Sequence, residues 1–247
     1  MIKVSDIKKI ILDALFPIKC INCSQNGFWI CPECEKKIII NHFQVCPQCE
    51  KIITKSGTLC QTCRRKDRSL DGLIAATTYQ TENISRLVHF FKYNFIDSLS
   101  TLLGEIMLKG FISSEAPIPD LIVPVPLSSR RLRWRGYNQS ALLAQYLSNN
   151  IAPGLAVDIS ENLLKRIRTT WPQMTIKNYR DRKENIQGVF AVSESAGSIK
   201  NKSILLVDDI ATTGATLFEC AKALKESGAK KVFGIVIARQ TIKNQLV

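Results

Sequence analysis

The sequence predicts an α/β fold with a mostly parallel sheet, preceded by a small metal-binding unit. Three observations carry that reading. From residue 69 onward, apolar runs of strand length alternate with helical stretches, the pattern of a parallel sheet whose ligands sit beyond the carboxyl ends of its strands. Before residue 69, eight of the nine cysteines fall into four C-x-x-C pairs. Late in the chain, S-I-L-L-V-D-D-I-A-T-T-G-A-T (Ser203–Thr216) runs an apolar strand into two adjacent carboxylates, then into a threonine- and glycine-rich loop that opens a helix.

Taken in order, Met1 to Phe16 interleaves charges with Ile7, Ile10, Ile11, Ala14 and Leu15, the spacing of an amphipathic packing helix closed by Pro17. It has no cleavable signal pattern, and no window nears the roughly 18 uninterrupted apolar residues of a membrane span. The expectation is a cytoplasmic protein. Residues 17–68 form the cysteine-rich domain and residues 69–247 the α/β domain. In the latter, Leu73–Tyr79 reads as a strand. Asn83–Lys92 reads as a helix with Ile84, Leu87, Val88 and Phe91 on one side. A second helix covers Asp97–Lys109, and a proline-bearing loop, Ser113–Pro119, leads into the strand Leu121–Val125. Gly136–Asn150 is helical, and Leu163–Leu164 is a short strand before a polar, basic loop. The strands Ser203–Val207 and Val232–Ala238 flank a helix, Ala215–Ser227, which Gly228 ends.

Each C-x-x-C pair (Cys20/Cys23, Cys31/Cys34, Cys46/Cys49, Cys60/Cys63) can put two thiolates on one metal, so two pairs complete a tetrahedral zinc site. Two structural zinc ions are expected. So small a segment buries too little apolar surface to fold unaided, and metal binding supplies the difference. We read the pairs as sequential, Cys20, Cys23, Cys31 and Cys34 on one ion and Cys46, Cys49, Cys60 and Cys63 on the other. Spacing alone leaves an interleaved cross-brace open. A disulfide framework does not suit a reducing compartment. Cys220, on the helix after the loop, reads as a small core residue.

A buried strand that stops at a Gly/Thr loop and turns into a helix offers backbone N–H groups and the positive helix end to an anion, most often phosphate. Asp208 and Asp209 would repel a bare polyphosphate but accept hydrogen bonds from ribose hydroxyls. A ligand with a 5′-phosphate, free 2′- and 3′-hydroxyls and a metal nearby satisfies both halves. A second constellation, V-P-V-P-L-S-S-R-R-L-R-W-R-G-Y-N-Q (Val123–Gln139), holds four arginines in six residues, able to chelate phosphate oxygens bidentately. Trp134 and Tyr137 add flat faces on which a base can stack, or else cap the core. His89, beside Phe90, reads as a core or surface residue rather than an acid/base. The net charge of +13 (34 Lys and Arg against 21 Asp and Glu) favours polyanionic partners.

The Leu205–Thr216 segment resembles, without a gap, the 5-phosphoribosyl-1-pyrophosphate (PRPP) motif of type I phosphoribosyltransferases. With the cysteine pairs before it, the Val123–Gln139 stretch, and a third block (Arg166, Thr170, Gln173, Arg182–Asn185, Gly188, Phe190), nearly the whole chain closely resembles the ComF family of competence proteins. The resemblance implies a type I phosphoribosyltransferase-like fold. It implies that Asp208 and Asp209 hold the ribose hydroxyls while Ala211, Thr212, Thr213, Gly214, Ala215 and Thr216 wrap the 5′-phosphate. Ser128, Ser129, Arg130, Arg131 and Arg135 would meet pyrophosphate, and Gln173, Arg182 and Asn185 belong to a mobile loop. Mg²⁺, which keeps several waters and is held by substrate phosphates, would accompany PRPP.

The implied role is in DNA uptake during natural transformation, with single-stranded DNA as partner. The ingredients for such binding are a positive groove and stackable aromatics: Arg133, Trp134, Tyr137, Arg166 and Arg168, with Trp171 and Tyr179. The cysteine knuckles would dock another competence protein, such as a DNA-translocating helicase, and recruit the chain to membrane-associated uptake machinery. The alternative is an active phosphoribosyltransferase in nucleobase or nucleotide salvage. Regulators on this fold can keep the loop and lose the chemistry, so the motif leaves turnover open.

Overall fold

A computed structural model describes residues 18–79, 82–93, 99–168, 185–194 and 197–240. The expected helix at 1–16 lies outside these residues, as do Trp171, Gln173, Tyr179 and Arg182. In chain order the elements are a one-turn helix α1 (Pro32–Glu35), a two-residue hairpin pair β1 (Gln44–Val45) and β2 (Ile53–Thr54), and a second one-turn helix α2 (Gln61–Arg64). Then come β3 (Gly72–Thr78), α3 (Glu82–Tyr93), α4 (Leu99–Ser114), β4 (Leu121–Pro124), α5 (Ser129–Arg135) and α6 (Gln139–Asn150). The short β5 (Leu164–Arg166) and β6 (Phe190–Val192) precede β7 (Ser203–Ala211), α7 (Ala215–Glu226) and β8 (Lys231–Arg239).

The main sheet is four-stranded and parallel, ordered β3-β8-β7-β4. Alternate residues of each strand feed opposite layers, as the pleat demands. Ile74, Ala76, Leu205, Val207, Ile235 and Ile237 share one core with α3, α4 and α6. Leu73, Ala75, Ile204, Leu206, Val232 and Val236 share the other with α7 and the antiparallel β5–β6 hairpin. Gly110 of α4 lets that helix press against β3: a Cβ there would meet Ala76 Cα at 2.6 Å.

Three elements differ from expectation. β7 continues four residues past Val207, because β8 stays paired with it as far as the Ala211–Arg239 register. The arginine-rich stretch, given no element of its own between the strand Leu121–Val125 and the helix from Gly136, is the short helix α5, capped by Ser128, whose Oγ accepts from Arg131 N at 3.3 Å. Helix α4 runs on to Ser114, so Ser113 and Ser114 close a helix rather than open a loop.

The cysteine-rich segment packs onto the α/β layers. Cys20, Ile30, Cys31 and Cys34 belong to the same buried cluster as α3 and α4. The second set, Cys46, Leu59, Cys60 and Cys63, packs against Phe218 of α7. Between the two sets, Asn41 and Gln44 run along the outer edge of β3. Asn41 N and Nδ2 donate to Ala76 O and Ala75 O, and Ala75 N donates to Gln44 Oε1 at 2.9 Å. Arg239, at the end of β8, ties in the second set by donating to Pro47 O and pairing with Glu50 Oε1 at 2.8 Å. Composition changes at residue 68, yet packing does not stop there.

Candidate functional site

The paired acids stand at the carboxyl end of β7. Asp209 is buried, and alternation along the strand turns it toward α3, where Lys92 Nζ meets its Oδ1 at 2.8 Å. Asp208 Oδ1 accepts from Ser140 Oγ at 3.1 Å and from Asp209 N at 2.9 Å. Burial, then the neighbouring Asp209 charge, pushes the Asp208 carboxyl up to about 7, although Lys92 and both hydrogen bonds pull the other way.

Beyond Ala211, whose carbonyl accepts from Gln240 N, the chain turns through Thr212 and the buried Thr213. Thr213 Oγ1 accepts from Ala215 N at 3.3 Å. Gly214 caps α7 in the left-handed region (φ 74), a backbone state available to glycine at little cost. The loop encloses a concavity of about 20 Å³ lined by Asp208, Thr212, Gly214 and Thr216. The first N–H groups of a helix lack intrahelical acceptors and face the positive end of its dipole, so this turn suits phosphate.

The arginines divide. Arg130, Arg131 and Arg133 are exposed on α5, and Ser128 and Ser129 form its cap and first residue. Arg166 lies over the Phe190 ring at 5.6 Å, and burial together with the nearby Arg131 charge lowers its pKa. Two cations whose fields overlap make a place for an anion. Arg135 does not join them. It is buried, donates to Gln139 Oε1 at 2.9 Å and sits 5.3 Å from the Tyr93 ring centre.

Of the aromatic candidates, Trp134 is 55 % exposed and lies 5.7 Å from Tyr93, which in turn stacks at 4.7 Å on His89. Tyr137 is committed inward, its hydroxyl donating to Phe91 O at 2.6 Å, which favours the core-capping role over the stacking one. Arg168 is exposed and donates to Gln187 O, and Asn185 begins the described chain after the 169–184 segment.

Cysteine sulfurs gather into two sets, Cys20, Cys23, Cys31, Cys34 and Cys46, Cys49, Cys60, Cys63, with the sulfurs of each set within 4.8 Å of one another. The sequential pairing is therefore the one the fold assembles. Cys23–Cys31 and Cys49–Cys60 sulfurs lie 3.5 and 3.9 Å apart, close to the roughly 3.8 Å edge of a tetrahedron with 2.3 Å zinc–sulfur bonds. Both sets repeat one device: Cys31 N donates to Cys20 Sγ and Cys60 N to Cys46 Sγ, each at 3.4 Å. Burial opposes ionisation of Cys20 and Cys46, but the backbone donors outweigh it and bring their thiols down to about 6 and about 7. Four sulfurs at these spacings fit a structural zinc ion.

Lys92 and Ser140 were not singled out from the sequence. A signal for Lys92 exists: Ile84, Val88 and Lys92 recur at four-residue steps, so the lysine continues the inward stripe of α3. A cation on such a stripe needs an internal anion.

Comparison with known proteins adds to this picture. The phosphoribosyl transferase domain family matches residues 143–245. Competence protein F of Haemophilus influenzae is 30% identical over 227 residues, covering 88% of this chain and 95% of the relative. The DNA utilization protein YhgH of Salmonella typhi is 33% identical over 177 residues, covering 70% and 74%. Competence protein ComFC of Bacillus subtilis is 29% identical over 144 residues, covering 58% and 49%. The matched domain begins inside α6, yet β3 and β4, which precede it, are strands of the same sheet.

Proposed function

The chain belongs to the competence protein F family, and on that premise we propose that it serves DNA uptake by binding Mg²⁺–PRPP at the β7–α7 loop and single-stranded DNA on the surface of α5. The observation that carries the first half is the junction itself: Asp208 and Asp209 at a strand end, followed within five residues by the left-handed Gly214 that opens α7. In this reading the acids accept the ribose hydroxyls, and the Thr212–Thr216 turn donates to the 5′-phosphate. Arg131 and Arg166 neutralise the pyrophosphate. Mg²⁺, brought by the substrate's phosphates, would supply further neutralisation of their charge there. Each cysteine set holds one zinc ion as a structural staple.

Arg130, Arg133 and the exposed Trp134 support the second half, since an arginine-flanked flat ring is how sequence-tolerant single-strand binding is built. The relatives named for competence and DNA utilization point the same way. None of the described helices is long and apolar enough to cross a membrane.

Calorimetry of zinc-loaded protein with Mg²⁺–PRPP, with and without oligo-dT, tests the reading. Saturable heat that disappears in the Asp208→Asn, Asp209→Asn double variant is expected, while affinity for oligo-dT stays the same or rises slightly because two negative charges are gone. That affinity should fall steeply between 50 and about 200 mM salt. Absence of heat from a folded protein that still binds DNA would leave the loop without a ligand-binding role.

A further inference from the structure

Outside the loop, a cleft of about 420 Å³ lies between the second cysteine set and the flank of α7. It falls at the lower end of the range, on the order of 300–1,000 Å³, that small-molecule sites occupy. Its walls come from four stretches distant in sequence: Gln48, the run Lys66–Ser69, Ile186 with Gln187, and the α7 residues Ala215 to Lys222 that include Phe218.

The wall chemistry is specific. Gln48 Oε1 is buried and, among the described residues, accepts no hydrogen bond, so an acceptor there is open to a ligand's donor. Phe218 and Ile186 offer apolar faces. Lys66, Arg68 and Lys222 give the rim three cations, and no acid lies within ion-pair distance of them among the described residues. Both acids of the cleft are already hydrogen-bonded: Asp67 Oδ1 accepts from Ser69 N and Oγ, and Glu219 Oε1 accepts from Gly188 N at 2.6 Å. A ligand matching all three features is flat, carries an N–H donor on its edge and bears an anionic group within a few ångströms of that edge.

We propose that this cleft is a second site, for a nucleotide, with the base against Phe218 and its N–H edge on Gln48 while the phosphate meets Lys222 and the Lys66–Arg68 rim. It is separate from the loop, although Ala215 lies in both linings, so an occupant rests on the first turn of the helix that caps the phosphate loop. A free mononucleotide and a nucleotide of a single strand present the same chemistry.

The test titrates the zinc-loaded full chain with dAMP and dTMP, with inorganic phosphate as control, and separately with oligo-dT. Lys222→Glu and Gln48→Leu are the variants, and retained PRPP binding and circular dichroism report that each is folded. Mononucleotide binding weakened tenfold or more by Lys222→Glu and severalfold by Gln48→Leu, but retained in the Asp208/Asp209 double variant, supports the site with a free nucleotide as occupant. If only oligo-dT binds and the same two variants weaken it, the occupant is part of a strand. The site is refuted if both variants leave every nucleotide affinity unchanged. It is equally refuted if inorganic phosphate binds as well as dAMP, if the double variant abolishes mononucleotide binding, or if no nucleotide binds at all.

Discussion

Lys92 Nζ lies 2.8 Å from Asp209 Oδ1, and the two side chains are only 19 % and 11 % exposed. The pair joins the last turn of α3 to the end of β7. Under the PRPP reading, the ammonium stands where a ribose hydroxyl would reach Asp209, so binding requires an exchange of partners. A lysine released beside a pyrophosphate has new oxygens to meet.

Lys92→Met should therefore act oppositely on two ligands. Ribose 5-phosphate, which lacks the pyrophosphate, should bind severalfold more tightly because nothing competes for Asp209. PRPP should bind about tenfold more weakly, equivalent to about 1.4 kcal/mol, because its pyrophosphate loses a cation. Lys92→Arg, which keeps the charge, should lie nearer the wild type for PRPP. Parallel calorimetric titrations decide the matter, and equal weakening of both ligands would reduce Lys92 to a packing role.

Asp208 gives stability a pH signature. Its folded pKa, about 7, lies above its ordinary 3.8, so the protonated form is the one that folding favours. The stability this group supplies is complete below about pH 4 and lost as pH rises through about 7. Asp208→Asn mimics the protonated carboxyl, so its gain over wild type in urea unfolding should be small at pH 5 and larger at pH 8. A gain that does not change with pH would contradict the burial described for this carboxyl.

Metal analysis should find two zinc ions per chain. Chelation should accelerate hydrogen exchange at the Ala75 amide, whose acceptor is Gln44 between the two cysteine sets. It should also weaken PRPP binding, because Phe218, four residues past Gly214, loses the packing of the second set. Zinc should restore both, and unchanged exchange at Ala75 after metal loss would show that the edge contact stands without its staples.

Gly110→Ala should destabilise the protein despite the better helix former. Alanine gains up to about 1 kcal/mol of helix propensity, whereas its methyl meets the β3 backbone at 2.6 Å, an overpacking that costs about 1–3 kcal/mol. A net loss of about 1–2 kcal/mol would lower Tm by roughly 2–8 °C. Thermal unfolding at pH 7 measures it.

The local signals in the chain were legible because their causes are local. The apolar strands, the Asp-Asp-loop-helix junction and the C-x-x-C pairs each declare themselves within a few residues. What stayed hidden depends on distant partners. β7 runs through both aspartates because β8 is there to pair with them, and nothing near Val207 announces this. The helix over Ser129–Arg135 has too few apolar residues for any periodicity, so its capping serine was its sole local cue. Arg135 looks like its neighbours in sequence and becomes buried only because α5 turns it onto Tyr93 and Gln139. The docking of the cysteine sets on β3 and Phe218 likewise belongs to tertiary packing, which spacing does not encode.

The cover that Asn41 and Gln44 lay over β3 has a consequence for the newly made chain. β3 is a seven-residue, almost wholly buried strand at the border of the sheet, and bare borders of that kind recruit one another. The cysteine segment is the guard on that border, and under the proposed zinc reading the guard is posted only once its metal arrives. Zinc scarcity would thus be felt first as self-association and clearance of the protein, before any question of ligand binding arises.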